Sequence, residues 1–170
     1  MLLHHSRRLA RVDTSGSSIQ LENQDRTLWD ADRIEEGCEL VEAVLRVPFP
    51  GPYSLQAAIA AVHAEAKTPE STGWQQIVAL YGLLNARFGI PIIELNRAVA
   101  ISMAEGPIRG LRLGDWLTMR VELHDYYLLY AVKADLFRRL HKYAEARTKL
   151  RRSTQTHEKY CRAKISRVTN

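Results

Sequence analysis

The sequence predicts an all-α protein built as an array of antiparallel helical hairpins. Three observations lead there. Apolar residues recur at helical rather than alternating spacing, Gly and Pro interrupt the chain at regular intervals, and three prolines stand where helical patterns begin. These are Pro52 after Gly51, Pro91 after Ile90 and Pro107 after Gly106. The first helical turn accepts proline because its N–H has no intrahelical acceptor to lose. With 170 residues, 46% hydrophobic and 25% charged, the chain has the composition of one globular domain that buries roughly 70% of its unfolded surface.

From Met1 to about Val12, the residues Leu2, Leu3, Ser6, Leu9 and Ala10 form an amphipathic stripe. It opens without a cap, as though cut from a longer protein, and Leu2, Leu3 and Leu9 would promote a homodimer of the isolated chain if nothing covers them. A Ser/Gly-rich loop follows from Asp13 to Ser18. Asp30 then caps a helix reaching about Arg46, with Trp29 placed to touch Ile34 as a hydrophobic staple and with Ile34, Cys38, Val41 and Leu45 facing inward. Val47 to Pro52 is a break. Leu55, Ile59, Val62 and Ala66 define the next helix, and Thr72 with Gln75 has capping-box spacing for another carrying Trp74, Ile77, Val78 and Tyr81 inward. Ile92, Leu95, Val99 and Met103 stripe the helix after Pro91, and a shorter helix spans Ile108 to Met119. The segment from His124 to Leu140 carries two stripes and should be buried around most of its circumference. The last helix begins near Tyr143, with Ala146 and Leu150 inward.

Helical hairpins invite a search for repeats of about 34 residues. Tyr130, Ala134, Phe137, Tyr143, Ala146 and Leu150 fall at the large, small, aromatic, aromatic, small and bulky positions of a tetratricopeptide repeat, with Lys133 departing from the expected leucine. Trp74, Ile77, Val78 and Tyr81 suit the first helix of a second, degenerate copy. The fold expected is therefore a right-handed tetratricopeptide-like (TPR-like) stack over residues 1–155, followed by a basic tail over 156–170.

Catalytic and metal constellations are absent from the pattern. His63-Ala64-Glu65 has the His-x-Glu of zinc deaminases without its Pro-Cys-x-x-Cys partner. No Gly-x-Gly-x-x-Gly, phosphate loop or Gly-x-Ser-x-Gly elbow occurs. No catalytic residue, metal ligand or cofactor is expected. Polar residues on otherwise apolar helices are more informative, because burying them without partners costs a few kcal/mol. Gln56 and His63 share one face of the Pro52 helix, and Asn96 and Arg97 interrupt the Pro91 helix. Together with Trp74 and Tyr127 they are the candidate lining of an interaction groove, or else pair internally between hairpins.

The net charge of +5 is distributed unevenly. Residues 147–170 hold eight Lys and Arg against Glu158, a net +7, which leaves −2 for residues 1–146. Arg151, Arg152, Arg162 and Lys164 are the candidates for weak electrostatic contact, although such a run also suits a solvated helix end. No stretch of about eighteen apolar residues and no signal peptide is present, so no membrane contact is expected. Cys38 and Cys161 are too few for a disulfide framework, which fits a reducing cytoplasm.

Several blocks occur in order over roughly residues 1–155: Met1-Leu2-Leu3-His4 with Ser6-Arg7-Arg8, Asp25-Arg26 with Trp29-Asp30, Ile34-x-Glu36-Gly37, the run from Gln56 to Ala66, Trp74-x-x-Ile77-x-x-Leu80-Tyr81, Leu95-Asn96-Arg97-Ala98-Val99-Ala100, Gly106-Pro107, and Ala134-Asp135-Leu136 with Arg138-Arg139-Leu140. In these the sequence resembles the C-terminal extension of a group of bacterial extracytoplasmic-function (ECF) RNA polymerase sigma factors. It departs from that pattern at Gly73, at Gly89-Ile90-Pro91 and after Ser153. The resemblance implies a non-enzymatic regulatory and protein-interaction domain acting in transcription initiation. Its partners would be the RNA polymerase core, the sigma factor's own preceding domains, or both, and promoter DNA would be met only through those missing domains. Two alternatives remain: a free-standing TPR-like adaptor, and a small-molecule-binding or hydrolytic helical protein using His63 and Glu65.

Overall fold

The computed structural model describes residues 2–168, with side chains described through Cys161. Among the described residues the regular structure is helical, apart from an isolated bridge between Val12 and Ser18. The chain divides into two compact units, residues 1–80 and 81–170.

The first unit opens with a short helix, α1 (Leu2–His5), where the sequence suggested a helix continuing to Val12. A tertiary hydrogen bond ends it early. The Ser6 carbonyl, which a longer helix would offer to Ala10, accepts instead from the Asp30 N–H at 3.0 Å, and Ala10 turns back to Arg7 in a 3₁₀ turn over Arg8–Ala10. The loop beyond is held by Asp13, whose carboxylate accepts from the N–H groups of Ser15 and Ser17. Two further 3₁₀ turns, Leu21–Asn23 and Arg26–Leu28, lead into α2 (Ala31–Leu45), and Asp30 caps α2 by accepting from Arg33 N–H at 3.1 Å. Helix α3 (Pro52–Glu65) begins at its proline, as expected. Helix α4 (Trp74–Phe88) begins one turn position later than the Thr72 capping box implied, because the Gly73 carbonyl is its first acceptor.

Packing in this unit centres on Leu3, Ala61 and Ala64, with Ile34, Cys38 and Val41 against them. Leu3 lies so close to α2 that a Cβ on Gly37 would sit 2.8 Å from its side chain. Leu3 is therefore buried rather than available for dimerisation, Leu2 is half-buried, and of the three leucines only Leu9 is exposed. Leu45, expected inward, is exposed at the end of α2.

The second unit contains α5 (Pro91–Ala104), α6 (Pro107–Thr118), a 3₁₀ turn over Val121–Leu123, α7 (Tyr127–Arg139) and α8 (Tyr143–Val168). Each of these helices packs on the next, around Leu95, Ala98, Leu117, Leu123 and Leu129. A Cβ on Gly110 would come within 2.7 Å of the Ala98 carbonyl and 2.5 Å of Ser102 Cβ, so the absent side chain lets α5 and α6 touch through their backbones. Arg139 ties α7 to α5 by donating to both Ser102 Oγ and the Ser102 carbonyl at 3.0 Å. Lys133, the departure from the repeat pattern, is 4% exposed and meets the Asp115 carboxylate of α6 at 2.7 Å and Thr118 Oγ1 at 2.9 Å.

Helix α8 runs through position 155 without interruption, so the boundary expected there falls inside one helix. Its inner face is also not the expected one. Leu150 is exposed, while Ala146, Lys149, Ser153 and Thr156 form the covered stripe. Ser153 Oγ donates to the Tyr127 carbonyl at 2.8 Å and Thr156 Oγ1 to the Arg152 carbonyl, which satisfies two hydroxyls that hydrophobic periodicity does not mark.

Two consequences are measurable by chemical denaturation. Asp115→Ala leaves the buried Lys133 ammonium with Thr118 Oγ1 as its remaining partner and should cost about 1–3 kcal/mol, whereas Lys133→Met, of similar length, should change stability by less than about 1 kcal/mol. Gly110→Ala should cost about 1–3 kcal/mol by forcing α5 and α6 apart.

Candidate interaction surface

The six residues expected to share a groove divide between the two units. Gln56, His63 and Trp74 belong to the first, and Asn96, Arg97 and Tyr127 to the second. Gln56 and Asn96 are exposed and the other four are partly buried. The structure brings His63 and Trp74 together, with ring centroids 5.1 Å apart and planes at 78°.

His63 sits within a larger cationic and aromatic cluster. Arg26 reaches from its 3₁₀ turn to the end of α3, donating to the carbonyl of His63 at 3.1 Å and to that of Ala66. These are the carbonyls that a helix terminus leaves without partners, and a guanidinium there also meets the negative end of the helix dipole. The same guanidinium lies 4.5 Å from the Trp29 ring centroid, and Arg7 lies 5.4 Å from it. Among the described residues Arg26 Nε and Trp29 Nε1 are buried without hydrogen-bond partners. Trp29 is thus occupied by two arginines; the expected staple read its hydrophobic surface but not its π-face.

Burial, with Arg7 and Arg26 adding repulsion, lowers the His63 pKa to about 4. A neutral imidazole against Trp74 has the character of a packed side chain. Glu65, two residues on, is exposed and lies beside the Cys38 thiol, whose pKa burial and Glu65 raise to about 11. Thus Glu65 lies against Cys38, and its charge together with burial favours the protonated Cys38 thiol. Among the described residues no group of three His, Cys, Asp or Glu side chains is placed to hold a metal ion.

In the second unit, Arg97 donates to Glu94 Oε1 at 2.8 Å, one turn back on α5. Glu94 is buried, and its other carboxylate oxygen has no partner among the described residues. The interrupted apolar stripe is therefore explained locally, by an ion pair at i, i+3 spacing that the sequence already contained. Tyr127 packs against His157 of α8 with centroids 4.5 Å apart and ring planes tilted at 54°, and Arg152 lies 5.3 Å from the Tyr130 centroid. Part of the basic run thus covers α7 rather than facing solvent freely. Arg151 is exposed, and the side chains of Arg162 and Lys164 lie outside the described ones.

In the first unit α1, α2 and α3 form a concavity of about 340 Å³ with the exposed Leu40, Val44 and Tyr53 on its wall. The sequence offered a signal for it: Leu40 and Val44 extend the apolar side of α2 beyond the stripe that packs inward.

Residues 1–45 match a family of unknown function, DUF6596. That DUF6596 stretch carries Leu3, Arg7, Arg26, Trp29 and Gly37, the residues that build the turns and the close approach of α1 to α2. An uncharacterized protein of Rhizobium meliloti (strain 1021) is 42% identical over 148 residues, covering 87% of this chain and 34% of that protein. The chain therefore spans about a third of the length of the curated relative it matches. No solved structure matches. No helix of the described residues is long and apolar enough to cross a membrane.

The depressed His63 pKa fixes the sign of a pH effect. The unfolded state takes up the proton near 6.5 and the folded state only near 4, so the stabilisation is present above 6.5 and is lost as pH falls through that window. Comparing thermal unfolding of the native chain with His63→Phe from pH 7 to 4 should show a component, on the order of 2 kcal/mol, that only the native chain loses.

Proposed function

We propose that this chain is the regulatory and protein-interaction part of an ECF-type RNA polymerase sigma factor, non-enzymatic and TPR-like in its helix stacking. The observation that carries the proposal is the ordered set of sequence blocks resembling that extension. The 42% identical relative is about three times as long as the segment matched, which leaves room in such a protein for promoter-reading domains.

Several structural features support the architecture. Helices α5 to α8 pack in chain order, and Tyr130 and Ala134 occupy the interior as a tetratricopeptide pattern requires. Leu150 and Tyr143 are exposed instead, leaving the outer side of α8 open to whatever follows or binds. The partners that fit are the polymerase core and the preceding domains of the same polypeptide. The exposed apolar wall of α2 and Tyr53 is the surface of the first unit best suited to them. A free-standing adaptor would share all of these features and differ only in gene context.

Reading the coding sequence upstream of Met1 is the first test: an in-frame helix-turn-helix is expected, and its absence would leave the adaptor. The second is biochemical. Removing residues 1–170 from the parent protein should reduce promoter-dependent transcription or polymerase association at least severalfold. The isolated chain should bind promoter and scrambled duplexes equally weakly. Tight, sequence-selective binding by residues 1–170 alone at about 200 mM salt would overturn the proposal.

A further inference from the structure

The first unit carries a second concavity, of about 430 Å³, with a different chemistry. Its wall consists of Leu2, His4, His5, Arg8, Arg11 and Arg33, so every charged or titratable side chain facing it is basic. Three elements supply them: α1, the 3₁₀ turn after it and the first turn of α2.

One guanidinium is paired with an acid and another spends only part of its five donors inside the protein. Arg33 pairs with Asp30 at 2.8 Å, and Arg11 donates to the His4 carbonyl. Among the described residues no ion pair joins Arg8 or Arg11 to an acid. Arg7, just behind the wall, donates to His4 Nδ1 at 3.2 Å and stacks on Trp29. Burial and the neighbouring Arg11 and Arg26 lower the Arg7 pKa, and burial, Arg7 and Arg11 lower that of His4. Positive charge is thus crowded here against itself. Clefts lined by one sign of charge concentrate the opposite ion, and guanidinium forks match the oxygens of a phosphate.

We infer that this concavity is an oxyanion-binding site that takes a phosphate group, with Arg8 and Arg11 as its principal donors and His4, His5 and Arg33 around it. The ligand is either a free phosphate anion or a phosphate of a nucleic-acid backbone; the chemistry at the site is the same. The inference does not depend on the parent protein being a sigma factor.

The test is an NMR titration of the 170-residue chain at constant ionic strength, with inorganic phosphate in one arm, chloride in a second and a duplex DNA of arbitrary sequence in a third. Saturable shifts at residues 4–11 and 33 are expected with phosphate and not with chloride. Arg8 is exposed, so Arg8→Glu should leave thermal unfolding close to native while weakening phosphate binding at least tenfold. Arg8→Lys should retain most of the affinity. If the duplex binds at the same residues, more tightly than inorganic phosphate and with Arg8→Glu equally damaging, the source is a nucleic-acid backbone. If phosphate binds and the duplex does not, the source is a free anion. Equal shifts with chloride, or unchanged phosphate binding in folded Arg8→Glu, would overturn the inference.

Discussion

None of the helices α2 to α7 exceeds fifteen residues, and helices of that length are marginal on their own in water. Each therefore exists because a neighbour covers one of its faces, and the quality of those contacts governs the rest of the structure. Where the helices come closest, a side chain has been removed. Gly110 brings α5 and α6 into backbone contact, and Gly37 lets Leu3 lie on α2. Across wider gaps, long polar side chains do the joining, as Arg139 does from α7 to α5 and Lys133 from α7 to α6.

The same constraint explains the irregular first thirty residues. A segment with so little regular structure must satisfy its backbone and bury apolar area by other means. Here short Asp-centred turns hold the loops, the Ser6 carbonyl receives Asp30 N–H, and Arg26 caps the end of α3 while covering Trp29. One consequence is a concentration of arginine next to α1. Arg26 and Arg7 serve as cap and π-contact partners inside the unit, while Arg8, Arg11 and Arg33 line a basic concavity that shares Leu2 with the apolar one. Two chemically distinct surfaces thus arise from one packing solution. Residues 1–45, which match the family of unknown function, line the basic concavity and the α1 and α2 side of the apolar one, whose remaining wall is Tyr53, Ser54 and Ala57 of α3.

Much of the fold was legible because it rests on local chemistry. Pro52, Pro91 and Pro107 each open a helix, Asp30 caps one, and Leu95 and Leu129 sit in the core, although Ile92, expected on the same stripe as Leu95, is exposed. Less of the candidate site was legible. His63 and Trp74 meet, but Gln56 and Asn96 remain exposed and Arg97 is held by Glu94 on its own helix. The cluster of Arg7, Arg26 and Trp29 escaped notice because cation–π and capping contacts join residues far apart in sequence and leave no periodic trace. The i, i+3 pairing of Glu94 and Arg97 was available as a signal, since it is a helix-surface rule.

By itself, then, the sequence determined the helical class, the places where most helices begin, the uneven charge and the weak repeat around Tyr130, since each depends on spacing within one segment. Tertiary structure alone decided that the first helix stops at His5, that α8 turns Ser153 and Thr156 inward while Leu150 stays outside, and that Lys133 is buried beside Asp115. The reason is the same in all three. A hydrogen bond or ion pair to another segment outweighs local helical periodicity, and its partner is specified only once the chain has folded.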